Sequence, residues 1–308
     1  MKVKMKNFKE RLSKKCPKCK PQSIAVYARS ARRLFRLTDP KSDLPENTAW
    51  LKAEKLKKAY EKIPLAKRRH LSVAAHQFFK AHGKVDSYWQ GRMFTDSDAY
   101  SRERSKNKKS ATEQKNWVDN ALGKLKKIST EFKRSINHKL RKEPSVKHLW
   151  LYTQYLILRF YSEHQLRNDL ATVKLKSSSK GDNILKRVKG SRYDLHMNSF
   201  KASDKIGSRV IHISRALSNV LYQYIQYRNR VAVKHDNLLS NIDGKVLSKM
   251  GLGRILRKMT ADKLGKTIGT RMLRIFNATR HAKLLEKAAQ VSHGMLHSAK
   301  QTKEYVRK

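Results

Sequence analysis

The sequence predicts a mainly α-helical chain with a small β-sheet or hairpin in its middle, divided into two domains. Three observations predict it. Apolar residues recur at helical spacing over most of the length. The stretch 170–213 carries alternating segments and reads strand, turn, strand. A polar, strongly basic run at 86–111 separates two patterned regions.

In chain order, residues 1–20 read as a solvated basic arm with no apolar run behind it, so a secretory signal is not expected; support for a nuclear address is weak. The arm holds both cysteines, Cys16 and Cys19. One Cys-x-x-Cys is half of a zinc site, and no second pair follows, so spare thiols in a reducing compartment are expected. Residues 21–85 form a small helical domain. Its first helix starts at Ser23 as a cap and places Ile24, Tyr27, Ala31, Leu34 and Phe35 near one face. After a loop punctuated by Pro40 and Pro45, residues 48–62 carry Trp50, Leu51, Leu56 and Tyr60. Residues 64–82 carry Leu71, Ala74, Phe78 and Phe79. The run 86–111 reads as an interdomain linker, most charged at 101–110.

The second domain is expected at 112–308. Helical patterns cover 116–140 and 146–162. The apolar stretch 149–161 contains Gln154 and Arg159 and is too short for a bilayer, so it reads as a buried helix and no membrane partner is expected. Residues 170–176 and 193–201 have strand character, 202–207 form a turn, and 208–213 a further strand. Helices resume at 214–229, 246–258, 263–277 and 283–291, with a last piece holding Tyr305. Tyr222, Tyr224 and Tyr227 read as helix-packing residues.

Charge narrows the partner. Lys and Arg number 72 against 24 Asp and Glu, a net charge of +48, so the chain repels itself unless an anion neutralises it. Nucleic acid is the default, because each phosphate neutralised releases condensed counterions. A ribosome-associated or packaging protein has the same composition. The scarcity of acidic residues, with no evident acidic triad, disfavours a retroviral-type integrase, which needs acidic residues to hold two metal ions.

Four separated pieces carry the chemistry. They are Leu166-Arg167-Asn168-Asp169-Leu170 at a helix-to-strand junction, and Phe200-Lys201 at the hairpin turn. Arg271-Met272-Leu273-Arg274-Ile275-Phe276-Asn277-Ala278-Thr279 lies on a helix, and His297-Ser298 is followed by Tyr305. The order Arg, hairpin Lys, basic-x-x-Arg, His, Tyr resembles that of the tyrosine recombinases, or phage-type integrases. Arg271–Thr279 is similar to that family's His-x-Leu-Arg-His-x-Phe-Ala-Thr stretch, and Met295-Leu296-His297-Ser298 to its Leu-Gly-His-Ser stretch. The separations Arg274 to His297 and His297 to Tyr305, 23 and 8 residues, are close to the family's. The first-arginine motif, with Val173-Lys174-Leu175 after it, resembles recombinases of large DNA viruses, virophages and eukaryotic mobile elements. The resemblance covers roughly 112–308.

The resemblance implies a two-domain DNA clamp, with a helical core-binding domain and a mixed α/β tyrosine recombinase catalytic domain. It implies double-stranded DNA as partner, a homotetramer on two DNA sites, and strand transfer through a 3′-phosphotyrosyl link without cofactor, metal or ATP. Residue types suit this chemistry. Two arginines, Arg167 and Arg274, can bind the non-bridging oxygens of a phosphorane with planar, permanently charged donors. Tyrosine, with a pKa near about 10, needs a cationic pocket to act as the nucleophile, the role given to Tyr305. Lys201 is the candidate acid for the leaving 5′-oxygen, with Lys205 and Lys180 as competitors. His297 can hydrogen-bond the phosphate.

Three departures stand out. Arg271 stands where many relatives have His and cannot act as a base near neutral pH. Leu296 replaces the usual Gly. Only three residues follow Tyr305, so protomer contacts are expected elsewhere than in a long tail. Structural readings remain beside the catalytic ones: Arg167 salt-bridged to Asp169, His297 as a capped core histidine, Tyr305 as a packing aromatic. At the level of function, a type IB topoisomerase-like activity and a non-catalytic basic nucleic-acid-binding protein stay open.

Overall fold

The structure, a computed structural model, describes residues 2–106, 108–140, 143–282, 284 and 290. It is mostly helical with one small mixed sheet, and it divides into two compact units, Met1–Lys109 and Ser110–Lys308.

The first unit is all helical. It contains α1 (Lys2–Lys15), α2 (Pro21–Phe35), a 3-10 turn (Ala49–Lys52), α3 (Glu54–Glu61), α4 (Leu65–Ala81) and α5 (Ser87–Ser105). Leu34, Leu51, Leu56, Tyr60, Phe78 and Phe79 are sealed in its core. The expected arm is instead α1. Phe8 and Leu12, one helical turn apart, bury there, and the Phe8 ring stacks on Phe78 at 4.9 Å. Cys16 and Cys19 are not spare thiols: they are disulfide-bonded to each other and pack against this core.

Residues 86–105 are not a linker. Asp86 caps α5 by accepting from the Trp89 backbone N–H at 3.1 Å, and Trp89 is fully buried. One turn pair further along, Asp96 is also fully buried. It accepts from the Tyr60 hydroxyl and from Arg68 Nε at 3.1 Å, with Arg92 at 3.5 Å. A carboxylate can sit in a core only with such partners. Burial, then Asp96, pushes the Tyr60 hydroxyl far above its ordinary pKa, so it stays a donor. α2 starts at Pro21, earlier than the expected Ser23 cap, because a proline suits the first helical position.

The second unit opens with α6 (Ala111–Lys115), capped reciprocally by Ser110 and Glu113. α7 (Ala121–Leu140) and α8 (Val146–Glu163) follow. α8 is the buried helix expected at 149–161: Leu149, Leu156, Ile157, Leu158 and Tyr161 are inaccessible. A 3-10 turn (Asn168–Thr172) leads to β1 (Val173–Lys174), so the strand expected at 170–176 is largely a turn. Then come β2 (Asn183–Val188), β3 (Arg192–Met197), α9 (Ser203–Ile206) and β4 (Arg209–His212). The order is β1-β2-β3-β4, with β1 parallel to β2 and the other pairs antiparallel. Leu195 pairs with Leu185 on one side and Ile211 on the other. β2 was not anticipated from the sequence.

α10 (Arg215–Arg230), α11 (Lys249–Leu264) and α12 (Thr270–Arg280) complete the described fold. α11 ends at Gly265, whose φ of +62° is the left-handed C-cap glycine tolerates, and α12 therefore starts at 270 rather than at the expected 263. Tyr224 and Tyr227 pack inward as expected, while Tyr222 is exposed. The helix expected at 283–291 lies almost wholly outside the described residues. No helix among the described residues is long and apolar enough to cross a membrane.

If α1 is part of the first unit's core, Leu12→Ala should lower that unit's stability by about 2–5 kcal/mol in urea unfolding. A midpoint unchanged from wild type would return these residues to a solvated arm.

Candidate active site

Tyr161, at the end of α8, sets the first candidate residue, Arg167, in place. Its hydroxyl donates to the carbonyl of Arg167 at 2.6 Å. Burial holds this hydroxyl protonated well above the usual tyrosine range, with Asp169 adding and Arg274 opposing, so the bond persists into alkaline solution. Arg167 precedes the 3-10 turn with extended backbone and an exposed side chain, at the helix-to-strand junction the sequence suggested. The next two residues are held from other helices. Thr270 of α12 donates to Asn168 Oδ1 at 2.9 Å, and Lys249 of α11 pairs with Asp169 at 2.6 Å. Asp169 is buried and takes Lys249, not Arg167, as its ion-pair partner.

Arg274 lies on the half-buried face of α12, one turn beyond Thr270, whose carbonyl accepts from its Nε at 3.3 Å. Arg167 and Arg274 line the same cavity, of about 320 Å³. Leu166, Met197, Phe200 and Ile211 form apolar wall, and Arg209 at the start of β4 is a third cation on it. Burial, then the charges of Arg167 and Arg271, depress the pKa of Arg274; Asp169 and Tyr161 oppose them. A guanidinium keeps its proton regardless. Neither Arg167 nor Arg274 forms an ion pair among the described residues.

Lys201 sits in the connection from β3 to β4. Its side chain is exposed, and its neighbours Phe200 and Ala202 both line the cavity. Lys205 is in α9, further along the same connection, and Lys180 is in the exposed loop before β2. The connection is anchored by Asn183, the first residue of β2, which is 2% exposed. Asn183 Oδ1 accepts from the backbone N–H groups of Asn198 and Ser199, both at 2.8 Å. Its Nδ2 donates to the Ser199 carbonyl and to Thr172 Oγ1, again at 2.8 Å. One amide thus ties the segment before Lys201 to the turn after Arg167, using all of its hydrogen-bonding capacity.

Arg271 is placed differently. It is largely exposed, and its Nη2 pairs with Glu113 Oε1 at 2.7 Å. His297 and Tyr305 lie outside the described residues. The structure therefore brings Arg167 and Arg274 to one cavity, places Lys201 between two residues that line it, and tethers Arg271 to α6. Sequence reasoning missed Arg209, Lys249, Asn183 and Glu113. Only Glu113 left a local signal, the Ser110-x-x-Glu113 capping box. No family model matches the chain, and no curated protein matches it. Among the described residues no group of three or more His, Cys, Asp or Glu could hold a metal ion.

Asn183→Ala would leave two buried N–H groups, a carbonyl and a hydroxyl without this partner. The expected loss is on the order of 3 kcal/mol in stability, with faster amide exchange at Asn198 and Ser199. Exchange at those two amides equal to wild type would show that Asn183 does not anchor the connection.

Proposed function

We propose that this chain is a tyrosine recombinase or integrase, which cuts and rejoins DNA through a 3′-phosphotyrosyl intermediate. The observation that carries the reading is the pairing of Arg167 and Arg274. They are far apart in sequence, share one cavity, and have no carboxylate ion pair among the described residues. Such a pair suits the non-bridging oxygens of a scissile phosphate, whose charge grows in the phosphorane. The low-dielectric wall beside it strengthens that interaction.

On this reading Tyr305 Oη attacks the phosphorus in line, and the 5′-oxygen leaves with a proton from Lys201. The phosphotyrosyl bond conserves the phosphoester, so the 5′-hydroxyl of a second end can attack it and release Tyr305. His297 hydrogen-bonds the phosphate. Arg271 cannot accept the tyrosine's proton, which passes to water or to His297; released from Glu113, Arg271 can add positive charge that favours the phenolate. The two units would form the clamp around duplex DNA, and four protomers would join two sites. The net charge of +48 supplies the non-specific part of that grip.

Nicked suicide substrates, which lose the short leaving strand, test the reading. Wild type should accumulate a covalent adduct mapped to Tyr305, and Tyr305→Phe none. Arg167→Ala and Arg274→Ala should each cut the adduct rate by about 10²-fold or more, by the cost of removing one charge-stabilising donor. Each removes one cation of 72, so duplex affinity should stay within about twofold. Absence of adduct in wild type, or an undiminished adduct in Tyr305→Phe, overturns the enzyme. A monomer that relaxes supercoils and never joins two duplexes makes it a type IB topoisomerase instead.

A further inference from the structure

A second cavity opens toward the start of β3, away from the Met197 end that faces Arg167. It measures about 480 Å³. Four cations line it, Lys176, Arg187, Arg228 and Lys234, against one carboxylate, the exposed Asp236. Three of the cations are exposed. Arg228, in the last turn of α10, is 5% exposed. Its Nη2 donates to the carbonyl of His235, and lies 3.3 Å from His235 Nδ1. Its Nε is sealed from solvent and has no hydrogen-bond partner. Burial, above all, depresses its pKa, without removing the charge.

A guanidinium this deeply buried, with no ion pair among the described residues and only the more distant Asp236 carboxylate opposing its desolvation, is costly unless an anion offsets its charge. Stapling the loop after α10 explains the bond to His235. It does not explain why Lys176, Arg187 and Lys234 line the same concavity. His235 adds no charge of its own: burial, and then Arg228, hold its ring neutral near neutral pH. On another part of the wall Leu185 and Ile225 present apolar surface.

We propose that this cavity is a second anion site, one that takes a phosphoryl group. Arg228 forms its buried end, and Lys176, Arg187 and Lys234 form its exposed rim. The cavity exceeds a bare phosphate and falls in the usual size range of small-ligand pockets, about 300–1,000 Å³. With apolar wall beside the cations, it suits a phosphate carried on an organic group. That group is either a free nucleotide-sized monoester or part of a nucleic-acid backbone; the phosphoryl recognition is the same. The proposal does not rest on the reading of the Arg167 cavity.

Arg228→Gln is the obvious variant, but it also cuts the staple to His235 and can unfold the loop. The deciding variant is therefore Lys176→Gln, Arg187→Gln, Lys234→Gln, which leaves Arg228 in place. Its control, Lys124→Gln, Lys126→Gln, Lys139→Gln on α7, removes the same charge from exposed positions. AMP and pyrophosphate binding to the full chain is measured by calorimetry at about 0.15 M salt, where distant surface charges are largely screened. Wild type should bind saturably, with one equivalent that belongs to this cavity. The rim variant should bind at least about tenfold more weakly, and the control within about twofold. Equal weakening in both variants, or no saturable binding to wild type, overturns the site. Displacement of bound AMP by a short DNA duplex assigns the phosphoryl group to nucleic acid. Retention of AMP against duplex assigns it to a free monoester.

Discussion

Tyr161, Thr270 and Lys249 each hold one of three consecutive residues: the Arg167 carbonyl, the Asn168 side chain and the Asp169 carboxylate. The three anchors come from α8, α12 and α11. An arginine side chain is long and rotamer-rich, so its precision comes from the backbone it hangs on. Here that backbone is located by three helices at once, and α8 is the sealed centre of the unit's core. The approach of α11 is close. A Cβ at Gly253 would stand 3.0 Å from Asn168 Nδ2, so glycine lets the helix reach the turn. The same helix, α12, carries both Thr270 and Arg274. Moving α12 therefore moves the anchor and the second arginine together.

This arrangement opposes electrostatics. Three guanidiniums, of Arg167, Arg209 and Arg274, line one cavity, and the nearby buried carboxylate is already paired with Lys249. Burial first, and then repulsion from Arg167 and Arg271, depresses the pKa of Arg274, a cost the fold carries. The cost is offset elsewhere, by the apolar packing of α8, α10 and α11. An anion that relieves it binds the folded state alone and so adds to stability by mass action. The first unit treats charge in the opposite way. There Asp96 draws Tyr60, Arg68 and Arg92 inward and leaves no cation of that cluster unmatched.

Much of the helical fold was legible because an apolar stripe at period 3.6 survives a basic background, as in α2, α4 and α8. Two long helices escaped for definable reasons, besides the short α6 and α9. In α1 the apolar residues Val3, Met5, Phe8 and Leu12 are scattered among lysines. In α5 the buried face holds Trp89 and Asp96, and apolar periodicity cannot register a buried carboxylate. β2 was missed because burial along it is confined to its first half, so alternation fades after Leu185. Arg167 and Arg274 were legible from motif order and spacing. Lys249 and Asn183 were not, since their roles come from contacts made across the fold, Lys249 to Asp169 at a separation of 80 residues. Nothing local marks an asparagine as the residue that ties two loops together.

Arg271 is the residue whose place in the structure most constrains a mechanism. Its partner Glu113 is itself buried and held in a capping box, so the carboxylate cannot follow the arginine. To reach a phosphate at the cavity, Arg271 has to leave Glu113 behind. That exchange leaves a buried carboxylate short of a cation, which costs free energy unless Glu113 keeps its bonds from the cap. The Ser110 backbone N–H still donates to Glu113 Oε2 at 2.8 Å, which lowers that cost. Arg271 is also more than half exposed, so solvent screens what it gives up. The pair is thus a weak latch between α6, at the start of the second unit, and the helix that bears Arg274. A phosphodiester carries one negative charge, the same as the Glu113 carboxylate, so a ground-state phosphate has no charge advantage in a competition for Arg271. On the proposed reading the advantage would appear only as charge grows on the phosphorane, and Arg271 would then contribute to the transition state more than to initial binding.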